Sequence, residues 1–244
     1  YLEGKWGYRQ YDLKNMRYQI MFGTDPISAN RQVSFATAEW GDALDRGGAA
    51  VVDPRFSATA AKADEWLPII PGQDSALALA LAHTILVEGL WHRPFVGDFV
   101  DGVNQFKAGE MVEEAQFEEL HTHGLVKWWN LELNARTPEW AEELCGISAS
   151  QIRRVARKLG DAAPHVGVWL SRGMHMHNRG AYSSMAGHAL SGLLGAVDNL
   201  GGTLIYNSVP KQGFPKNKPY LDDIAKAGLK QEKIDRRGRL ELPA

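Results

Sequence analysis

The stretch from Val51 to Asp74, VVDPRFSATAAKADEWLPIIPGQD, decides the fold. An apolar strand ends there in an acidic residue, Asp53, and a second strand runs into the turn Pro71, Gly72, Gln73 and Asp74. A comparable strand-to-turn junction lies upstream, at Gln19 to Pro26 (QIMFGTDP). Together they predict the mouth of an α/β, doubly wound, mostly parallel sheet with helices on both faces. In such sheets ligands bind outside the carboxyl ends of the strands, where backbone groups and a carboxylate grip phosphates and a ribose or base.

Outward from these junctions the chain alternates strands and helices. Tyr18 to Phe22 reads as a short apolar strand, followed by a helix through Val33, Phe35, Ala36, Trp40 and Leu44 with Ser28 and Asn30 as capping candidates. Ala49 to Val52 is apolar without alternation, as expected of a parallel strand buried on both faces. A short helix around Ser57 to Lys62, a strand at Trp66 to Ile70 and a long helix from about Ser75 to Glu88 follow, with Asp74 and Ser75 as caps. The middle third, including Arg93 to Glu119, reads as mostly helical; Thr137 with Pro138, and then Ser148, open two further helices. The basic residues of SASQIRRVARKLG lie off its apolar stripe and read as a solvated face. His165 to Leu170 is a third strand, running into SRGMHMHNRG, and a small-residue helix extends from Ala181 to about Leu194. The domain organisation expected is 1–205 as a Rossmann-like α/β domain and 206–244 as a connection into a neighbouring domain.

Composition narrows the partners. A chain of 244 residues with net charge −2 and pI near 6.5 offers no clustered positive surface for a nucleic-acid backbone. The apolar run Ala76 to Leu90 is broken by His83, Thr84, Glu88 and Gly89, so neither a membrane span nor a signal peptide is visible. Cys145 is alone, which leaves no internal disulfide and no Cys-rich metal site; its setting is that of a buried structural thiol. The chain starts at Tyr1 and stops at LELPA, and both ends read as cut.

A dinucleotide fingerprint would place GxGxxG at the first junction, and here only Gly23 stands there, followed by Thr24 and Asp25. Asp53 suits a contact to ribose or to a guanine edge, and equally suits the plain end of a strand; Arg55 could pair with a phosphate or stack on a base. The pairs His121/His123 and His175/His177 share a face only on extended backbone and lack a third ligand, so no metal ligand is assigned. The second pair sits at a strand end in the expected cleft, where His can donate a proton or a hydrogen bond.

The ordered set FGTDP, VVDPR, TAAKADEWLPIIPGQD, TPEWA with GIS and IRRVA, RGMHMHNRG and DNLGG resembles the molybdopterin oxidoreductases of the dimethyl sulfoxide reductase family, in their large catalytic subunit. The ending IDRRGRLELPA and the HMHNRG turn are more similar to the branch with phenylacetyl-CoA:acceptor oxidoreductase and the thiosulfate, polysulfide and arsenate reductase-like enzymes. The resemblance implies a molybdenum or tungsten ion held by two molybdopterin guanine dinucleotides, and two-electron redox or oxygen-atom transfer in anaerobic respiration. It implies that Gly23, Thr24 and Asp25 line the nucleotide, that Asp53 and Arg55 contact the guanosine, and that Pro71, Gly72, Gln73 and Asp74 close over it. Arg172, Gly173, Met174 and His175 would approach the pterin or metal, with His177 and Asn178 nearby; His175, His177 and Arg172 would orient an oxyanion or shuttle a proton.

The family's cysteine cluster for a [4Fe-4S] centre and its metal-ligating residue do not occur in this sequence, so the expectation is an internal fragment, inactive alone. The same resemblance implies a small-molecule substrate, an iron-sulfur electron-transfer subunit, possible membrane anchoring through another subunit, and a bacterial periplasmic or membrane-associated setting. The readings that compete with it are a non-catalytic α/β nucleotide-binding module and a purely structural domain.

Overall fold

A computed structural model of the protein describes residues 9–30, 32–205 and 218–231. Its elements in chain order are β1 (Gln10–Tyr11), β2 (Tyr18–Phe22), α1 (Val33–Arg46), β3 (Ala49–Val52), β4 (Glu65–Leu67), α2 (Asp74–Val87) and α3 (Arg93–Val96). Then come β5 (Gly97–Phe99), β6 (Phe117–Glu119), α4 (Leu125–Leu131), α5 (Pro138–Cys145), α6 (Ala149–Ala162), β7 (Val166–Leu170), α7 (Arg172–His175), α8 (Gly180–Leu193), β8 (Thr203–Leu204) and α9 (Asp223–Lys230). The described residues up to Ile205 belong to one compact unit; those from Lys218 to Gln231 belong to a second, in which Asp222 caps α9 by accepting from the Ala225 N–H.

Four strands form one parallel sheet in the order β4-β3-β2-β7. The chain lays β2, β3 and β4 down in one direction and then returns to the far side of β2 for β7. The strand order therefore reverses between β2 and β7, and at such a point the loops leaving two neighbouring strands part in opposite directions and open a crevice. Tyr18 lies beside Val166 and Phe22 beside Leu170, which brings the carboxyl ends of both strands level at that crevice.

The alternation of β2 explains the two covered faces. Tyr18, Ile20 and Phe22 join the core beneath α2, α6 and α8, while Met21, Ala49 and Val51 pack with Trp40 of α1 on the other side. On α6, Ile152, Val155, Ala156 and Leu159 are fully buried, each large apolar side chain contributing about 1.5–3 kcal/mol. Thr137 and Ser148 cap α5 and α6 as expected, accepting from the N–H groups of Trp140 and Gln151.

Several expectations are corrected. The α1 cap position is Gln32, and neither Ser28 nor Asn30 caps; the Ser28 hydroxyl instead donates to Asp25 at 3.2 Å. Helix α2 starts one residue early, at Asp74, with no side-chain cap. The strand expected over Trp66 to Ile70 is Glu65–Leu67, because Pro68 cannot donate to a ladder. Arg93 to Glu119 is not mostly helical: after the single turn α3 it forms the antiparallel pair β5–β6, with Phe99 and Phe106 edge-on to Trp91 and Phe117 tilted against it. Nor is the basic face of α6 merely solvated, since Arg154 and Lys158 grip the buried Glu65 and Arg157 pairs with Glu88 at 2.7 Å. The antiparallel pair of β1 and β8 had no signal in the sequence.

Candidate functional site

The crevice is built on two glycines. Gly23 leaves β2 at φ +59°, and a Cβ placed on it would lie 2.6 Å from the Cα of Gly173, the second residue of α7. Only glycine lets two backbones meet that closely. The ends are pinned by hydrogen bonds from the Gly23 N–H to Val52 O at 2.9 Å and from the Ser171 N–H to Phe22 O at 3.1 Å.

Asp25 is committed within the protein. Its carboxylate accepts from the Thr59 N–H at 3.0 Å and from the Thr59 hydroxyl, and lies 3.4 Å from the Arg55 guanidinium. It therefore ties the end of β2 to the loop after β3, while Thr24 stands partly exposed beside it. One oxygen of Asp53 accepts from the Arg55 N–H at 2.8 Å, and Trp66 Nε1 donates to the Asp53 carbonyl at 2.8 Å. The Arg55 guanidinium is mostly exposed, and Phe56, also exposed, leans on Trp66 with ring centroids 4.9 Å apart. Thr59 and the Phe56/Trp66 pair were not singled out from sequence. The signal available was the Phe directly after VVDPR, an apolar residue in a polar loop.

On the far wall, Pro71 and Gly72 are exposed, Gln73 is half-buried and Asp74 is buried at the first turn of α2. Gly72 adopts φ +85°, with no atom within 4 Å of the place a Cβ would take, so the turn borders open space. In the third junction Arg172, Gly173 and Asn178 are exposed, Met174 is buried, and His175 and His177 are half-buried. Nε2 of His175 is shielded and has no hydrogen-bond partner among the described residues. Burial, with Arg9 and His177 adding repulsion, holds the His175 imidazolium below the usual histidine range and favours its neutral ring. His177 rests Nδ1 on the Asn178 carbonyl at 2.7 Å and turns Nε2 toward Asp74 Oδ2 at 3.9 Å. Burial pushes the Asp74 carboxyl up; its own backbone N–H and His177 draw it back, and Asp53 adds to the rise.

The structure thus brings the three sequence-marked junctions to one end of the sheet, pairing Gly23 with Gly173, Asp25 with Arg55 and Asp74 with His177. His121 is not there: it stands against Phe95, with ring centroids 5.5 Å apart. Cys145 is buried at the end of α5. Among the described residues no group of three or more His, Cys, Asp or Glu is gathered for a metal ion, and no helix is long and apolar enough to cross a membrane.

A glycine-pinned crevice at the switch point of a parallel sheet covered by helices on both faces defines a doubly wound α/β domain. No protein-family model matches the chain. Two relatives, the molybdopterin-containing subunits of the arsenate respiratory reductases of Shewanella sp. (strain ANA-3) and Chrysiogenes arsenatis, are 56% and 51% identical over 100% and 99% of this chain, which spans 29% and 28% of their length. Dimethyl sulfoxide reductase DmsA of Escherichia coli (strain K12) is 28% identical over 87% of this chain and 26% of its own. Among solved structures, acetylene hydratase from Pelobacter acetylenicus superposes with a TM-score of 0.59 at 20% identity, over 77% of this chain and 22% of that one, which shows the shared fold. The chain belongs to the molybdopterin oxidoreductases of the dimethyl sulfoxide reductase family.

Proposed function

We propose that this chain is the part of a molybdenum or tungsten oxidoreductase that holds one molybdopterin guanine dinucleotide, and that the longer enzyme reduces a tetrahedral oxyanion of the arsenate kind. The observation that carries the cofactor reading is the crevice itself: two backbones held in contact at Gly23 and Gly173, open space at Gly72 and a shielded, unpartnered Nε2 on His175. Such an orphaned ring nitrogen is costly unless a bound group pairs with it, so the residues present fit a polar, extended ligand. The 56% identity over the whole chain to an arsenate respiratory reductase subunit supports the substrate class.

When bound, the cofactor supplies a metal that changes oxidation state by two electrons while an oxygen atom is transferred. The chain's own residues bind and orient. Asp53, Arg55 and the exposed ring of Phe56 sit where a guanosine would be gripped, by hydrogen bonds to one edge and stacking on one face. Thr24 and the turn Pro71 to Asp74 flank it, and Asp25 acts on it indirectly by shaping the loop through Thr59. Gly173, Met174 and Asn178 form the turn against the pterin, Met174 from the core side. Neutral His175 can donate or accept one hydrogen bond at Nε2, and the exposed cations of Arg172 and Arg55 suit an anion.

In this reading a [4Fe-4S] centre and the metal-ligating residue come from sequence outside these residues. Electrons arrive through an iron-sulfur subunit, with a membrane anchor as a further subunit, in the bacterial periplasm or at the membrane. The test is to isolate the longer subunit anaerobically, assay it for molybdenum, tungsten and acid-released guanine nucleotide, and measure arsenate reduction by a reduced dye. Metal and guanine nucleotide with turnover support the proposal; a subunit that carries neither overturns it.

A further inference from the structure

Asp74 and His177 come from opposite walls of the crevice, one at the first turn of α2 and the other in the turn between α7 and α8. The Asp74 carboxylate is only 6% exposed and the His177 ring 23%, and Nε2 stands 3.9 Å from Oδ2. That separation is ion-pair distance and beyond a hydrogen bond. The Asn178 carbonyl can only accept, so the 2.7 Å contact at Nδ1 requires a proton there in every state of the ring. The exchangeable proton of His177 therefore sits at Nε2, the nitrogen facing Asp74.

A buried carboxylate at a helix start is favoured by the α2 dipole, yet it costs desolvation that a long, imperfect pair repays only in part. Asp74 is thus a poor device for stability alone. The neighbouring charged and titratable groups are Asp53 at the end of β3, His175 on α7, Arg9 ahead of β1 and Cys145 at the end of α5.

We infer that Asp74 is a positioning residue: its carboxylate holds the His177 ring across the crevice, and this pair locks the turn before α2 to the turn after α7, setting where the free Nε2 of His175 points. His177 is then an anchor, and His175 is the ring left to meet a ligand. The lock is a property of this chain by itself; only its consequence for a bound cofactor rests on the proposed function.

The lock is acid-sensitive: burial keeps Asp74 protonated to higher pH than an ordinary aspartate, so the pair is lost as pH falls through that raised value.

The test is amide hydrogen exchange on the 244-residue chain and on its Asp74→Asn, His177→Gln and doubly substituted forms, read at Gln73 to Ala76 and at His175 to Gly180. At mildly acidic to neutral pH each single substitution should speed exchange in both turns by about fivefold, the size of one partly exposed ion pair, and the double should be no faster than either single. Well below the ordinary aspartate range the four chains should exchange alike. Amides of β2 serve as the control: unchanged rates there exclude global unfolding as the cause. Additive effects, effects confined to the substituted turn, or effects that persist unchanged in acid would overturn the inference. A longer subunit that carries no metal and no guanine nucleotide, with the coupling between the two turns intact, would count against the proposed function and leave the lock standing.

Discussion

The backbones of Gly23 and Gly173 meet so closely that a side chain on either would strike the other: a Cβ on Gly23 would lie 2.6 Å from the Cα of Gly173, and one on Gly173 would lie 2.7 Å from the Cα of Gly23. This contact joins the ends of β2 and β7, where the strand order reverses, and so fixes the width of the crevice.

Gly23→Ala should therefore be worse than Gly72→Ala, although both residues have positive φ. At Gly72 only the backbone preference is lost, about 1–2 kcal/mol, because the space beside it is open. At Gly23 a backbone clash of about 1–3 kcal/mol is added. Urea midpoints of the two variants check the order, and Gly23→Ala with Gly173→Ala should be less than additive, since one displacement relieves both clashes.

Glu65 on β4 should make the fold acid-sensitive. Burial alone would raise its carboxyl, but hydrogen bonds from Arg154, at 2.7 and 3.0 Å, and from Lys158 hold it below the usual glutamate range. A depressed carboxyl contributes stability that is present above its unfolded value and lost as pH falls through the folded one. Arg154→Met should cost about 1–3 kcal/mol at neutral pH, less than a fully buried pair because Lys158 remains at 3.1 Å. In urea unfolding near pH 3 the gap between variant and parent should narrow.

Cys145 should be inert in the folded chain. It is fully buried, and burial pushes its thiol above the ordinary range, so both access and thiolate are lacking. Alkylation followed by mass spectrometry should proceed at least about a thousandfold more slowly than for a free thiol and recover in denaturant.

The sheet was legible in the sequence because its strands are short, mostly apolar runs that break into polar turns. Tyr18 to Phe22 runs into Gly23, Ala49 to Val52 into Asp53 and His165 to Leu170 into Ser171, Arg172 and Gly173, and their loops converge because parallel strands all point the same way. Thr137 and Ser148 were equally plain, since a hydroxyl before a helical stripe has one local job. What stayed hidden depends on partners distant in the chain. Nothing near Asp25 announces that Thr59 takes its carboxylate, and nothing in IRRVARK shows that Glu65 lies beneath two of its cations. The β5–β6 hairpin was missed because Phe99, Phe106 and Phe117 pack around Trp91 rather than on a periodic face. For the crevice, sequence marked both histidines, and only geometry separated their parts: neither Nε2 has a hydrogen bond among the described residues, but that of His177 stands 3.9 Å from the Asp74 carboxylate.

In the proposed function the strand-end crevice holds the guanosine end of a molybdopterin guanine dinucleotide. The most direct measurement is the guanine nucleotide released by acid from the longer subunit and from its Asp53→Ala and Phe56→Ala forms, residues at the mouth of the crevice whose side chains are outside the core. Both substitutions should lower the nucleotide recovered per polypeptide while the protein still unfolds at the parent's temperature. Full recovery from both variants would contradict it and move the nucleotide to another part of the subunit.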